Sequence, residues 1–293
     1  MTNLNFIFNS HDPSYLLKPK SYLLFHNKQL QIYREIKALI KRLSIQIARQ
    51  PSQLIVGIIQ PLLWLILFGA LFQNAPINLL EKYDLQYNQF LSSGMIIFTA
   101  FTGSINGGLP IIFDREFGFF NRILASPLTN KDSLGFALIT YTWSITIIEI
   151  STVGCFTAIY QQNTLNSQYL ISIISIATLI IFNIGNISIC LGFILPGHIE
   201  FLAFILIINL PTLFSSTALA PLSFMPSWLQ MIACLNPLTY AIEILRNINT
   251  YNNFYIVETI WFKLNIKESF LVIIMMNFLS LIITKKILKS KYP

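Results

Sequence analysis

Five stretches of this chain stay apolar for far longer than a water-soluble helix requires: residues 54–72, 90–113, 134–160, 169–195 and 199–221. A helix needs about 20 apolar residues to cross the hydrocarbon core of a bilayer. A sixth run, 269–288, has 16 uncharged residues before Lys285 and Lys286; the long stems of those lysines can reach back to the interface and let the span continue. Only 11% of the 293 residues are charged, where a soluble domain carries about 25%. That is too little charge to cover a surface facing water. The expected fold is all-α: a polytopic membrane protein with six transmembrane helices. Residues 28–293 form its one membrane domain. Residues 1–27 are polar, are broken by Pro13 and Pro19, and read as a disordered N-terminus.

Orientation follows from where the positive charges lie. Of the 19 Lys and Arg residues, 15 fall in 1–53, in the loop 114–133 and after Thr284, and 4 fall in the loops on the other side. Both termini and the 114–133 loop are therefore expected on the cytoplasmic side, or its organellar equivalent. The net charge of +7 mostly reflects this asymmetry. Nucleic acid is not an expected partner, because no compact basic patch is interleaved with aromatics. The lipid bilayer is.

Three segments outside the spans have helical patterns of their own. In 28–50, Ile32, Ile36, Leu39, Ile40, Leu43 and Ile47 recur at spacings of three and four, with Arg34, Lys37, Lys41 and Arg42 mainly on the other side. A basic amphipathic helix before a span suits the membrane surface. In 113–124, Phe113, Phe117, Phe120 and Leu124 make one apolar stripe, Arg115 and Arg122 share a face, and Glu116 sits beside them. This segment reads either as a surface helix that binds a partner or as a connecting loop whose charges fix topology. In the 222–269 loop, a short helix carrying Trp228, Ile232 and Leu235 leads into Asn236-Pro237, an N-cap followed by proline at the first helical position. The next helix carries Leu238, Ala241, Ile242 and Leu245 on one face and Thr239, Glu243 and Arg246 on the other, with Glu243 and Arg246 spaced to pair. These helices are expected to be re-entrant or interfacial in the outer leaflet, with a further interfacial piece at 251–263 anchored by Tyr255 and Trp261.

Glu149 is the one acidic residue well inside a span. An ionisable group there is costly and is by default a candidate for function. It reads either as a gate or proton shuttle, or as a carboxyl that holds two helices near Ser144, Thr146 or Ser151. Asn183 and Asn186 can line a polar route or make interhelical hydrogen bonds, and Gly103 and Gly107 form a GxxxG packing motif. No metal-ligand spacing occurs, and there is no P-loop, G-x-S-x-G or H-E-x-x-H, so the chain shows no catalytic equipment and no cofactor site of its own.

Two motifs resemble a known family. Arg115-Glu116-Phe117-Gly118, with Arg122-Ile123-Leu124 and Ser126-Pro127-Leu128 after it, resembles the cytoplasmic segment of ABC type-2 transporter permeases. Leu235-Asn236-Pro237-Leu238-Thr239-Tyr240, with Arg246 beyond it, resembles that family's second signature before the last span. The resemblance implies six spans, an N-terminal connecting helix and a coupling helix at 115–127. The coupling helix would dock on a separate ATP-binding-cassette ATPase subunit, with Arg115 and Glu116 foremost, together with Phe117, Gly118, Arg122 and Pro127. It also implies a homodimer, ATP and magnesium used by the partner subunit, and export as the direction of transport. Asn236, Pro237, Tyr240, Glu243 and Arg246 would form the outer re-entrant motif. Heavy use of Ile, Asn, Phe, Tyr and Lys fits an AT-rich genome and the plastid-encoded branch, with a bacterial inner membrane as the alternative. A non-transporting membrane scaffold that uses the same segment to hold a partner is the alternative function.

Overall fold

A chain in lipid must satisfy its backbone polar groups internally, and helices do so within each segment. The computed structural model describes residues 28–72, 87–126, 132–161, 167–250, 257–259 and 261–291. The expectations for 1–27, Pro127 and Tyr255 lie outside the described residues. Five helical segments are long and apolar enough to cross a membrane: Ser52–Leu71, Tyr87–Glu116, Ser133–Tyr160, Gln168–Ile194 and Ile266–Ile287. They belong to α2 (Ser52–Leu71), α3 with α4 (Tyr87–Ile105 and Leu109–Glu116), α6 (Asp132–Gln161), α7 (Ser167–Ile194) and α11 (Ile266–Lys291). The amphipathic α1 (Lys28–Arg49) lies against α6 and turns Leu43 and Ile47 inward. A two-residue antiparallel pair, β1 (Val257–Glu258) with β2 (Lys263–Leu264), precedes α11.

The second span sits at the centre. Almost every residue of α3 is buried, and α2, α6, α7 and α10 (Pro237–Thr250) pack against it. The outer helices bury only a stripe and expose the rest of their apolar surface. In α2 the inward positions are Gly57, Pro61, Leu65 and Gly69, while Val56, Leu63, Leu67 and Leu71 are exposed, as expected for a lipid-facing wall. The second span is also broken. A 3-10 turn at Asn106–Gly108 separates α3 from α4, next to Pro110, which has no amide to donate. Ser188 of α7 bridges the break, accepting from Gly108 N at 2.9 Å and donating to Ile105 O.

One expectation is corrected in length. The run at 199–221 is helical only over α8 (His198–Phe214), which is 17 residues and so about 25 Å long. Residues 215–221 instead form turns. Arg246 of α10 donates to Thr217 O and Tyr87 of α3 donates to Leu219 O, which helps regular helix end early. The 227–250 region bends sharply. α9 (Ser227–Leu235) and α10 meet at an 88° bend. α9 keeps Trp228, Met231 and Leu235 exposed, and α10 is packed into the protein. It is buried on every side from Leu238 to Asn247, so the face carrying Thr239, Glu243 and Arg246 lies in the protein interior.

Candidate functional site

The sequence features singled out above fall into three places.

The first is the corner at the end of the second span. A single continuous helix was expected from Phe113 to Leu124, but the chain breaks at Gly118, which has φ +70°. That left-handed conformation is strained for residues with a Cβ. α4 closes with Phe117 N on Phe113 O and Gly118 N on Arg115 O. A separate short helix, α5 (Phe119–Ala125), then begins. The break redirects the apolar stripe. Phe120 and Ile123 point inward, with Phe120 edge-on to Phe193 at 5.8 Å. Phe117 is thrown outward and is 81% exposed, with Gly118, Phe119 and Arg122 exposed beside it.

Behind this tip every described charged residue of α4 bonds within the chain. Asp114 is buried and takes both arms of the Arg42 guanidinium. Arg42, expected on the far side of α1, therefore faces inward, and it also lies 4.7 Å above the Phe119 ring. Arg115 Nη1 donates to Gly192 O at 2.8 Å and to Leu195 O at 2.9 Å. Glu116 accepts from His198 N at 2.7 Å, and its other oxygen lies 2.6 Å from His198 Nδ1. Little in the residue pattern pointed to Arg42, Asp114 and His198. Arg42 lay among the basic residues of α1, Asp114 and His198 lay at span ends, and the partners are 72 to 82 positions apart.

The second place is a buried polar centre on α10. Arg246 and Glu243 are each 1% exposed, with Arg246 Nη1 2.8 Å from Glu243 Oε1. The guanidinium also donates to Thr217 O at 2.7 Å and Phe90 O at 3.1 Å, and it stacks on the Phe90 ring at 3.4 Å. It thereby joins α10 to the start of α3 and to the turn after α8. Gly94 permits this closeness, because a Cβ there would lie 2.5 Å from Ala218 O. Asn236 accepts from Leu238 N at 3.1 Å, as a capping residue does. Its amide nitrogen reaches Thr212 O at 2.9 Å and so ties the cap to the end of α8. Pro237 opens α10. Tyr240 OH donates to Cys234 O at 2.7 Å across the bend.

The third place is Glu149. Its side chain is wedged between two glycines on two helices. A Cβ on Gly57 would lie 2.4 Å from Oε1, and one on Gly103 would lie 2.4 Å from Oε2. Thr146 flanks it at Gly103, whereas Ser144 and Ser151 bond back to their own helix. The GxxxG residues thus seat α3 on α6, with Gly107 against Thr142. Glu149, Asn183 and Asn186 form no shared hydrogen-bond cluster among the described residues. Asn183 is buried with Nδ2 unbonded, and Asn186 donates to Phe182 O in its own helix.

The architecture defines a helical multi-pass membrane protein whose second span ends in a bent, exposed tip. A family model for ABC-2 type transporters matches residues 34–249, and the chain belongs to that family. A protein of Porphyra purpurea named "Putative transport permease ycf38" is 45% identical over 265 residues, covering 89% of this chain and 91% of the relative. The protein of the same name from Pyropia yezoensis is 47% identical over 264 residues, 89% and 90% of the two chains. That from Cyanophora paradoxa is 45% identical over 261 residues, 88% and 90%.

Proposed function

We propose that this chain is the membrane-spanning permease subunit of an exporter driven by a separate ATP-binding-cassette ATPase subunit, in a plastid membrane. Two copies pair to enclose the path. Both termini lie on the side that holds ATP. ATP and magnesium are bound by the partner subunit and not by this chain. The observation that carries this reading is the Phe117-Gly118 turn: an aromatic side chain presented outward at the end of a spanning helix, in a family of transporters. Phe117, Gly118 and Arg122 make the docking tip. Glu149 has a packing role, fastening α2 and α3 to α6.

The test is co-purification of tagged chain with its ATPase subunit, comparing wild type with Phe117→Asp. An exposed position tolerates the substitution for folding, so a monodisperse Phe117→Asp chain that has lost the ATPase subunit is the expected outcome. Full retention of the subunit would remove the tip from the interface.

A further inference from the structure

Arg115 and Glu116 are adjacent in sequence but engage opposite poles of two different helices. Arg115 donates to Gly192 O and Leu195 O at the C-terminal end of α7. Glu116 accepts the backbone amide of His198, the first residue of α8. A helix C-terminus carries unsatisfied carbonyls and partial negative charge, and an N-terminus carries unsatisfied amides and partial positive charge. A cation placed on the first and an anion on the second are each the favourable sign.

The corner between them is short, Leu195-Pro196-Gly197, and it sits flush on α4. A Cβ on Gly197 would lie 2.9 Å from Glu116 Oε1, and one on Gly192 would lie 2.5 Å from Ile111 Cγ2 and 2.8 Å from Gly108 O. The Phe113 ring lies tilted against the His198 ring, with centroids 5.6 Å apart. Beyond this corner α8 buries only the stripe Phe201, Ile205, Asn209 and Leu213. At its far end Asn236 holds Thr212 O.

We infer that Arg115 and Glu116 are coupling residues that clamp the α7–α8 corner to α4, so that a displacement of α4 and α5 is delivered to the first turn of α8. This rests on the transport reading above, and it assigns the two charged residues to transmission inside the chain rather than to ATPase contact. α8, held at both ends, is then the rod that links the docking tip to the buried Arg246 centre.

Hydrogen exchange on the full-length chain in lipid nanodiscs tests this, alone and with the ATPase subunit that accompanies the wild-type chain. Without partner, Glu116→Ala and Arg115→Ala should speed exchange at amides 198–201 roughly tenfold or more, the effect of losing a charge-assisted hydrogen bond. Unchanged exchange there overturns the clamp. With partner, both variants should retain the ATPase subunit within about twofold of wild type, because both side chains are engaged by the ends of α7 and α8. A non-hydrolysable ATP analogue should alter exchange at 198–201 in wild type. In both variants that response should be lost, while the response at 117–125 persists. A purely structural role would raise exchange equally in every nucleotide state. Loss of the subunit from the variants, or a nucleotide response at 198–201 that survives in them, overturns the inference. Should Arg115→Ala fail to fold, Arg115→Lys and Glu116→Gln, which keep one charge or one acceptor, are expected to lie between wild type and alanine in both arms. If no ATPase subunit accompanies the wild-type chain, the transport reading fails and coupling fails with it, and the partner-free arm still decides the clamp.

Discussion

Truncation of Arg246 to alanine should be among the most damaging single changes available to this fold. The guanidinium is 1% exposed and faces a carboxylate, Glu243, that is equally buried. Removing one member of a buried ion pair leaves a charge in a low-dielectric interior and costs about 3–5 kcal/mol. Arg246→Ala also deprives Thr217 O and Phe90 O of a donor, each worth about 1–3 kcal/mol if left unsatisfied. These penalties share one site and do not simply add, so about 3 kcal/mol is the floor. Unfolding by SDS in mixed micelles measures the loss. Two companion variants separate charge from packing. Arg246→Lys can still meet Glu243 but cannot fork to Phe90 and Thr217, and should fall between wild type and alanine. Arg246→Met combined with Glu243→Leu removes both charges and keeps the volume, and should regain at least about 2 kcal/mol over Arg246→Ala. An Arg246→Ala chain within about 1 kcal/mol of wild type would overturn this estimate, because a buried carboxylate cannot lose its guanidinium partner at so small a cost.

Three other outcomes follow from the packing. Gly103→Ala should destabilise by about 1–3 kcal/mol, since its Cβ would lie 2.4 Å from Glu149 Oε2 and 2.8 Å from the stiff Thr146 Cγ2; Gly154→Ala on the same helix as Glu149, with nothing within 4 Å of its Cβ, should be neutral or gain up to about 1 kcal/mol, both read by the same SDS titration. Gly118→Ala, at φ +70°, should cost about 1–2 kcal/mol and alter protease or maleimide access at a Phe117→Cys tip, whereas unchanged access would mean the bend does not depend on glycine. Arg42→Ala and Asp114→Ala should each loosen α1, seen as faster exchange in 36–47, and a double-mutant cycle should return about 1–3 kcal/mol of coupling; a coupling near zero would make the pair incidental.

The spans were legible because lipid selects length and composition, and both are visible residue by residue. α1 was legible from its stripe of Leu39, Leu43 and Ile47. What lay hidden was the direction of polar faces. The pattern put Thr239, Glu243 and Arg246 on one face of α10 without saying where that face points, and the structure turns it inside, with Arg246 against the Phe90 and Thr217 carbonyls. The early end of α8 was hidden for a related reason. Residues 215–221 are apolar enough to continue a helix, but long-range donors, Asn236 and Arg246, satisfy the local carbonyls and make the turns affordable. At the corner, the motif Arg115-Glu116-Phe117-Gly118 marked the right place and suggested outward charges. The positive φ of Gly118 reverses that, placing Phe117 outside and leaving the two charges to α7 and α8.

In the proposed function the Phe117 tip passes the state of an ATPase subunit to the membrane helices. The most direct measurement is the reactivity of a single Phe117→Cys, on a background with Cys155, Cys190 and Cys234 replaced by serine, toward a membrane-impermeant maleimide in nanodiscs. The account requires labelling to fall when the ATPase subunit is added and to change again with a non-hydrolysable ATP analogue. Labelling that is the same with and without the ATPase subunit, in every nucleotide state, would contradict it.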